Sequence, residues 1–417
     1  MNSFREYFAY RDNQLYCEDV SLADVARVYG TPLYVYSSKC FIDKFTLLDK
    51  ALTSVAHTIC YSVKSNSNIN ILKLMKNAGC GMDVVSGGEL HRAIAAGVNP
   101  EKIVYAGVGK TVEEIEYALK TGIQMFNCES LSEIKRINSI AQNNNVVAHI
   151  AIRINPDVDA NTHHYITTGK KENKFGISLQ YLPELIKSVK SLPHIVLKGI
   201  HVHIGSQITQ IEPFVEACKK AIAVIDDIQD MGMHECKTLN LGGGFGIQYN
   251  SEGELDIALW ATKIIGCIKG RDIFLIIEPG RFIAGNSGAL VTQVQYKKKT
   301  SHKTFIIVDS GMHHLIRPTL YQSYQHIANT TLREGEEVVD VVGPICESGD
   351  FFAKDRLLTK TEEGDYLAIL SAGAYGMAMA SHYNSHPLPA EVLVEGSSFR
   401  LIRKRESYED LIAKELV

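Results

Sequence analysis

Ile273-Phe274-Leu275-Ile276-Ile277-Glu278-Pro279-Gly280-Arg281 is the stretch on which the fold turns. Five apolar residues run without a break, as in a strand buried on both faces, and stop at a carboxylate, a proline and a glycine. Upstream lie seven more runs that read as strands: Thr58–Val63, Met82–Val85, Ile103–Ala106, Met125–Asn127, Val147–Ile154, Leu197–Ile204 and Thr238–Leu241. Between them come amphipathic segments of helical period, among them Asn68–Ala78, Glu89–Ala96, Val112–Lys120, Leu131–Ala141 and Glu212–Asp230. Eight strand–helix units predict a closed (β/α)8 barrel of the TIM type, with an open doubly wound sheet as the rival. Downstream of Gly280 the texture changes. Val291–Tyr296, Lys303–Val308, Glu336–Val342, Tyr366–Leu370, Ala390–Val394 and Ser398–Ile402 read as strands with few helices between them, which predicts a second, all-β domain.

Composition narrows the function. The 417 residues are 45% hydrophobic and 22% charged, enough to build two cores. A net charge of -4 and a pI near 6.4 argue against nucleic acid or an anionic membrane as partner. No apolar run approaches the roughly 20 residues needed to cross a bilayer. The segment Met1–Asp12 lacks the apolar core of a signal peptide. Nine scattered cysteines without a Cys-x-x-Cys pair read as reduced thiols, so a cytoplasmic location is expected.

The distinctive polar residues fall at the ends of the predicted strands, where barrels of this type carry their active sites. Lys64 follows the first strand in Tyr61-Ser62-Val63-Lys64-Ser65-Asn66. A partly desolvated lysine loses its proton more easily and becomes a Schiff-base nucleophile; the plain alternative is a side chain reaching for solvent. Asp83 lies in the second strand and Arg153 near the end of the fifth. His201-Val202-His203-Ile204-Gly205-Ser206-Gln207 ends the sixth; its two histidines share one face and would suit either a metal or a flat cofactor ring. Gly242-Gly243-Gly244-Phe245-Gly246 ends the seventh, where glycine N–H groups can wrap a phosphate or simply turn the chain. Glu278 ends the eighth, where a carboxylate can hold a pyridine nitrogen protonated or stand solvated in a loop. In the second domain, Arg317-Pro318-Thr319-Leu320-Tyr321, Cys346-Glu347-Ser348-Gly349-Asp350 and Gly373-Ala374-Tyr375-Gly376 gather reactive and charged groups into short segments.

Taken in order, Tyr-Ser-Val-Lys-Ser-Asn, His-Ile-Gly-Ser-Gln, Gly-Gly-Gly-Phe-Gly, Glu-Pro-Gly-Arg, Arg-Pro-x-Leu-Tyr and Cys-Glu-Ser-Gly-Asp resemble the diaminopimelate decarboxylase family of the fold-type III pyridoxal-phosphate enzymes. The resemblance runs from Tyr34 to Arg400. It implies a barrel over residues 34–280 and a β-rich domain of residues 1–33 and 281–417, as in alanine racemase and ornithine decarboxylase. It also implies a homodimer with shared active sites and pyridoxal 5'-phosphate as cofactor. Lys64 would carry the Schiff base and His203 would stack on the ring. Asp83 and Arg153 would line the cofactor pocket. Ser206, Gly243, Gly244, Gly280 and Arg281 would hold the phosphate, and Glu278 would pair with the ring nitrogen. Arg281, Arg317 and Tyr321 would bind a substrate carboxylate and Glu347 the distal ammonium. Tyr375 would lie by cofactor and substrate, and Cys346 would come from the partner subunit as proton donor. No metal is implied.

Two places depart from the family pattern: the neighbourhood of His386, where relatives often carry arginine or a similar residue, and Ser65, where they often carry alanine. The activity implied is that of a carboxy-lyase of lysine biosynthesis, which removes CO2 from meso-2,6-diaminopimelate at its D-centre to leave L-lysine. Another basic amino acid or a carboxylated polyamine could be the substrate of the same chemistry. Alanine racemases place a cation at the ring nitrogen, so Glu278 argues against them, and intact Lys64, Glu278 and Cys346 argue against a dead regulator. A metal-dependent barrel hydrolase using His201 and His203 is the rival from a different class.

Overall fold

Eight parallel strands close on themselves in the computed structural model, which describes residues 6–158, 174–250 and 252–417. They are β1 (His57–Ser62), β2 (Gly81–Val84), β3 (Ile103–Tyr105), β4 (Met125–Cys128), β5 (Ala148–Asn155), β6 (Ile195–His201), β7 (Thr238–Asn240) and β8 (Phe274–Ile277). Each pairs with the next, and β8 pairs back onto β1 through Leu275 with His57 and Ile277 with Ile59. Closure excludes the open doubly wound sheet. Cys60, Val104, Met125, Ala151 and Ile276, each from a different strand, meet in one buried cluster, as only inward-facing residues of a closed ring can.

Several of the barrel's helices start where the sequence supplies a cap. Ser86 accepts from the Glu89 N–H at the head of Gly87–Ala95, and Ser130 from the Glu133 N–H at the head of Leu131–Asn143. Thr111 and Glu114 form a reciprocal capping box before Val112–Thr121. Each cap follows its strand closely, so the strand's last residues are held at the end of the barrel from which the helices set out.

The chain divides into two compact units. One comprises the described residues of Lys44–Ile247 and Glu254–Phe282, the other those of Met1–Asp43, Gln248–Gly253 and Ile283–Val417. The barrel unit therefore begins at Lys44, not at residue 34. Strand Leu33–Ser37 belongs to the β-rich unit, because its partners there are Gly288–Lys299 on one side and Ala390–Glu395 on the other.

The β-rich unit is organised around Gly288–Lys299. The early part of this strand pairs with Leu33–Ser37 and Tyr366–Ile369. After a register shift between Val294 and Tyr296 it continues beside Thr304–Val308, and Glu336–Val342 and Phe351–Thr359 extend that side. Val35, Val291, Ala368 and Val392 share its core. The N-terminal strands Phe8–Arg11, Gln14–Cys17 and Val20–Ser21 form a small sheet in the same unit, and Phe8 and Leu15 join the same core.

Candidate active site

In the barrel unit, Lys64, Asp83, His203 and Glu278 are brought together at the C-terminal ends of the strands. Lys64 sits in a single 3-10 turn that follows β1, with 37% of its side chain accessible. Its Nζ lies 2.6 Å from Asp83 Oδ2. Asp83 is fully buried, and Ser62 Oγ stands 2.8 Å from the same oxygen. Burial and the neighbouring Glu278 raise the Asp83 pKa, and Lys64 pulls it back down.

Glu278 is buried at the end of β8, and its two oxygens are held separately. Oε1 accepts from Asn127 Nδ2 at 3.0 Å and from Asn240 Nδ2 at 2.6 Å. Oε2 lies 3.2 Å from His201 Nε2. Burial alone would raise the Glu278 pKa; His201, Lys64 and Asn240 outweigh it and hold the carboxyl well below the usual range. Burial, with Arg153 and Lys64 adding to it, depresses the His203 pKa, so this imidazole is neutral. Its Nδ1 accepts from the Gly243 N–H at 3.2 Å, which puts the ring proton on Nε2. The two histidines of the sixth strand end thus serve different partners. Among the described residues no group of three or more His, Cys, Asp or Glu could hold a metal ion.

The glycine run after β7 is a formed cradle. A Cβ on Gly243 would stand 2.2 Å from the Glu278 carbonyl oxygen, and Gly244 adopts a φ of +99°. The Ile208 N–H donates to the Gly244 carbonyl at 2.8 Å and the Gly246 N–H to the Ile208 carbonyl at 2.9 Å, which ties this loop to the one after β6. Phe245 anchors the run, with its ring centroid 5.1 Å from Phe214 and 4.9 Å from Trp260. Arg281 donates to Ser206 Oγ through Nη2 at 3.1 Å and Nε at 3.3 Å, and Gly280 lies against Ser62 and Ser65. Arg153 is held by Glu129 at 2.5 Å and lies over the Phe175 ring.

The β-rich unit carries the remaining residues. Arg317 and Tyr321 bracket a one-turn helix, with the Arg317 guanidinium 5.0 Å from the Tyr249 ring centroid and 5.8 Å from that of Tyr321. Cys346 and Glu347 are exposed on a tight turn closed by the Asp350 N–H donating to the Glu347 carbonyl at 3.0 Å. Tyr383 hydrogen-bonds Glu347, which raises the phenol's pKa. Tyr375 holds a φ of 56°, a left-handed backbone unusual for a side chain of its size. The two departures from the family pattern are absorbed locally. Ser65 Oγ stands 2.8 Å from the Ser62 carbonyl oxygen and 3.0 Å from the Tyr61 hydroxyl. The His386 ring lies 4.6 Å from that of His313.

Sequence reasoning missed Asn127, Asn240, Glu129 and Tyr249, and gave His201 no settled role. Asn127 and Asn240 carried a usable signal, since each is an amide inside an apolar strand and both prove wholly buried.

The arrangement offers an amine beside a buried carboxylate, a neutral imidazole, a buried anion and a cradle of glycine N–H groups with Ser206 and Arg281. That donor set fits a pyridine ring bearing an aldehyde and a phosphate. The family model described as the pyridoxal binding domain of pyridoxal-dependent decarboxylases matches residues 39–285. A diaminopimelate decarboxylase of Aquifex aeolicus is 46% identical over 421 residues, covering 100% of this chain and 99% of the relative. The chain belongs to the diaminopimelate decarboxylase family. Among solved structures, the Helicobacter pylori diaminopimelate decarboxylase complexed with L-lysine is 42% identical, with a TM-score of 0.91, over 94% of this chain and 98% of that one. The M. jannaschii diaminopimelate decarboxylase in co-complex with L-lysine is 36% identical, with a TM-score of 0.95, over 100% and 99%. Membership in this family removes the metal-dependent hydrolase. Among the described residues no helix is long and apolar enough to cross a membrane.

Proposed function

We propose that this protein decarboxylates meso-2,6-diaminopimelate at its D-centre, releasing CO2 and L-lysine, with pyridoxal 5'-phosphate as cofactor. The grouping of Lys64, Asp83, His203 and Glu278 at one end of the barrel carries the reading. Full-length similarity to diaminopimelate decarboxylases favours this substrate over ornithine, arginine or a carboxylated polyamine. When bound, the cofactor supplies an electron sink for the bond that breaks at the substrate's α-carbon.

The chain's own residues bind and orient. Lys64 supplies the amine that holds the cofactor, and Asp83 orients that amine beforehand. His203, held neutral first by its burial and then by Arg153, would lie against the ring without adding charge. Glu278 keeps a proton on the ring nitrogen. Ser206, Arg281, Gly280 and the Gly243–Gly244 backbone hold the phosphate. Arg281, Arg317 and Tyr321 take a substrate carboxylate, Glu347 takes the distal ammonium, and Tyr375 packs by both molecules. Cys346 would donate the proton that takes the place of CO2 on the substrate's α-carbon.

We further propose a cytoplasmic homodimer in which Cys346 acts from the partner subunit. All nine cysteines are free, as in a reducing compartment. Two tests bear on these proposals. Protein reconstituted with pyridoxal phosphate should absorb in the visible, and Lys64→Ala should abolish that band; a Lys64→Ala protein of full activity sinks the scheme. Mixing and re-dimerising Lys64→Ala with Cys346→Ala should restore activity that neither has alone, and no recovery counts against shared sites.

A further inference from the structure

His201 is a strand-end residue that the proposed function leaves without a part. It ends β6, is 1% exposed, and its Nε2 lies 3.2 Å from Glu278 Oε2. Its other nitrogen, Nδ1, is buried with no hydrogen-bond partner among the described residues. The Nδ1–H tautomer would leave a bare N–H there. The Nε2–H tautomer leaves only a bare lone pair and donates to the carboxylate. The far side of Glu278 is fixed independently. Asn240 Oδ1 accepts from the Gly242 N–H at 2.9 Å, which turns its Nδ2 toward Glu278 Oε1, and Asn127 adds a second amide there. With Oε1 saturated, Oε2 is the oxygen left to share a proton, and His201 is the group that controls it. The ionisable neighbours of Glu278 are His201 from β6, His203 just beyond it, Lys64 beyond β1, Cys60 in β1 and Asp83 in β2.

We infer that His201 is a positioning residue: its Nε2–H, donated to Glu278 Oε2, fixes that carboxylate and keeps it a weak base, so that a proton shared with the cofactor's ring nitrogen stays on the nitrogen. The inference rests on the assignment of Glu278 made above. A carboxylate that loses a donor binds a proton more tightly. Without His201, then, the proton moves to Oε2 and the electron sink weakens, while Lys64 and the phosphate cradle keep the cofactor bound.

The test uses holoenzyme carrying pyridoxal phosphate labelled with 15N in the ring. In His201→Phe the 15N shift should move toward that of unprotonated pyridine, and kcat should fall by about tenfold or more with KM little changed. His201→Gln, whose amide reaches the Nε2 position, should return both to near wild type. A His201→Phe protein with wild-type 15N shift overturns the inference, as does a His201→Gln protein as impaired as the phenylalanine variant. If His201→Phe does not fold, His201→Asn replaces it, since the asparagine amide matches Nδ1 and cannot reach Glu278. Glu278→Gln separates the two claims. If its 15N shift equals wild type, the assignment of Glu278 falls and the inference with it; if it shifts while His201→Phe does not, the inference alone is overturned.

Discussion

Lys64 Nζ lies 2.6 Å from Asp83 Oδ2, and Asp83 is fully buried while Lys64 is partly open to solvent. The pairing favours the ammonium over the reactive amine. Replacing Asp83 with Asn removes the opposite charge and should lower the pH at which Lys64 combines with pyridoxal phosphate. Cofactor binding followed by absorbance from pH 6 to 10, taken as roughly the range in which lysine amines titrate when perturbed, checks this. An unchanged midpoint contradicts it.

Gly243 should tolerate no side chain. A Cβ there meets the Glu278 backbone carbonyl, which cannot swing aside as a side-chain tip would. Gly243→Ala should weaken pyridoxal phosphate binding by on the order of tenfold or more through lost anion contacts. Gly266 is the control, since it lies inside helix Ile257–Ile268 with open space around it, and Gly266→Ala should leave binding unchanged and raise stability slightly.

Asp350 ties two loops of the β-rich unit. Its carboxylate accepts from the Met312 N–H at 2.6 Å and the Ile345 N–H at 2.7 Å, so the segment before Arg317 and the turn carrying Cys346 and Glu347 share one anchor. Asp350→Ala should strand both donors, cost about 2 to 4 kcal/mol in denaturant unfolding, and speed alkylation of Cys346. Peptide mapping of iodoacetamide labelling reads the second effect, and wild-type stability together with wild-type labelling contradicts the anchor.

Glu89 gives the pH dependence a sign. Burial, the largest influence, raises its pKa to about 7 despite the hydrogen bond from the Val85 N–H. The folded protein therefore holds this proton more tightly than the unfolded chain. Its stabilising effect is full below the ordinary carboxyl range and is lost as pH rises through about 7. Thermal unfolding of Glu89→Gln should lack that decline; parallel curves for the two proteins contradict the assignment.

The barrel was legible in the sequence because its strands are short apolar runs, several of them followed by a helix with a side-chain cap, and both signals are local. Leu33–Ser37 was not, because all five residues are buried and its strand partners lie more than 250 residues further on. At the site, Lys64, Glu278 and the glycine run were readable from their places at strand ends. The groups that hold them were harder to find. Asn127 of β4 reaches Glu278 beyond β8 only after the ring of strands has closed, and Glu129 and Asn240 meet Arg153 and Glu278 only once neighbouring strands have paired. His201 was visible but ambiguous: its spacing from His203 suits a metal, and only the 3.2 Å approach to Glu278 gives it another use.

The central claim is tested most directly by CO2 release from meso-diaminopimelate, measured beside L-ornithine, L-arginine and a carboxylated polyamine with the same pyridoxal-phosphate-loaded protein. The account predicts L-lysine as product and a kcat/KM for meso-diaminopimelate at least about a hundredfold above the others, because a site built to bind a distal carboxylate leaves its carboxylate-binding groups unpaired with a substrate that lacks one. Higher kcat/KM for ornithine, arginine or the polyamine, or no CO2 from meso-diaminopimelate by protein that carries the Lys64-dependent absorbance, would contradict it.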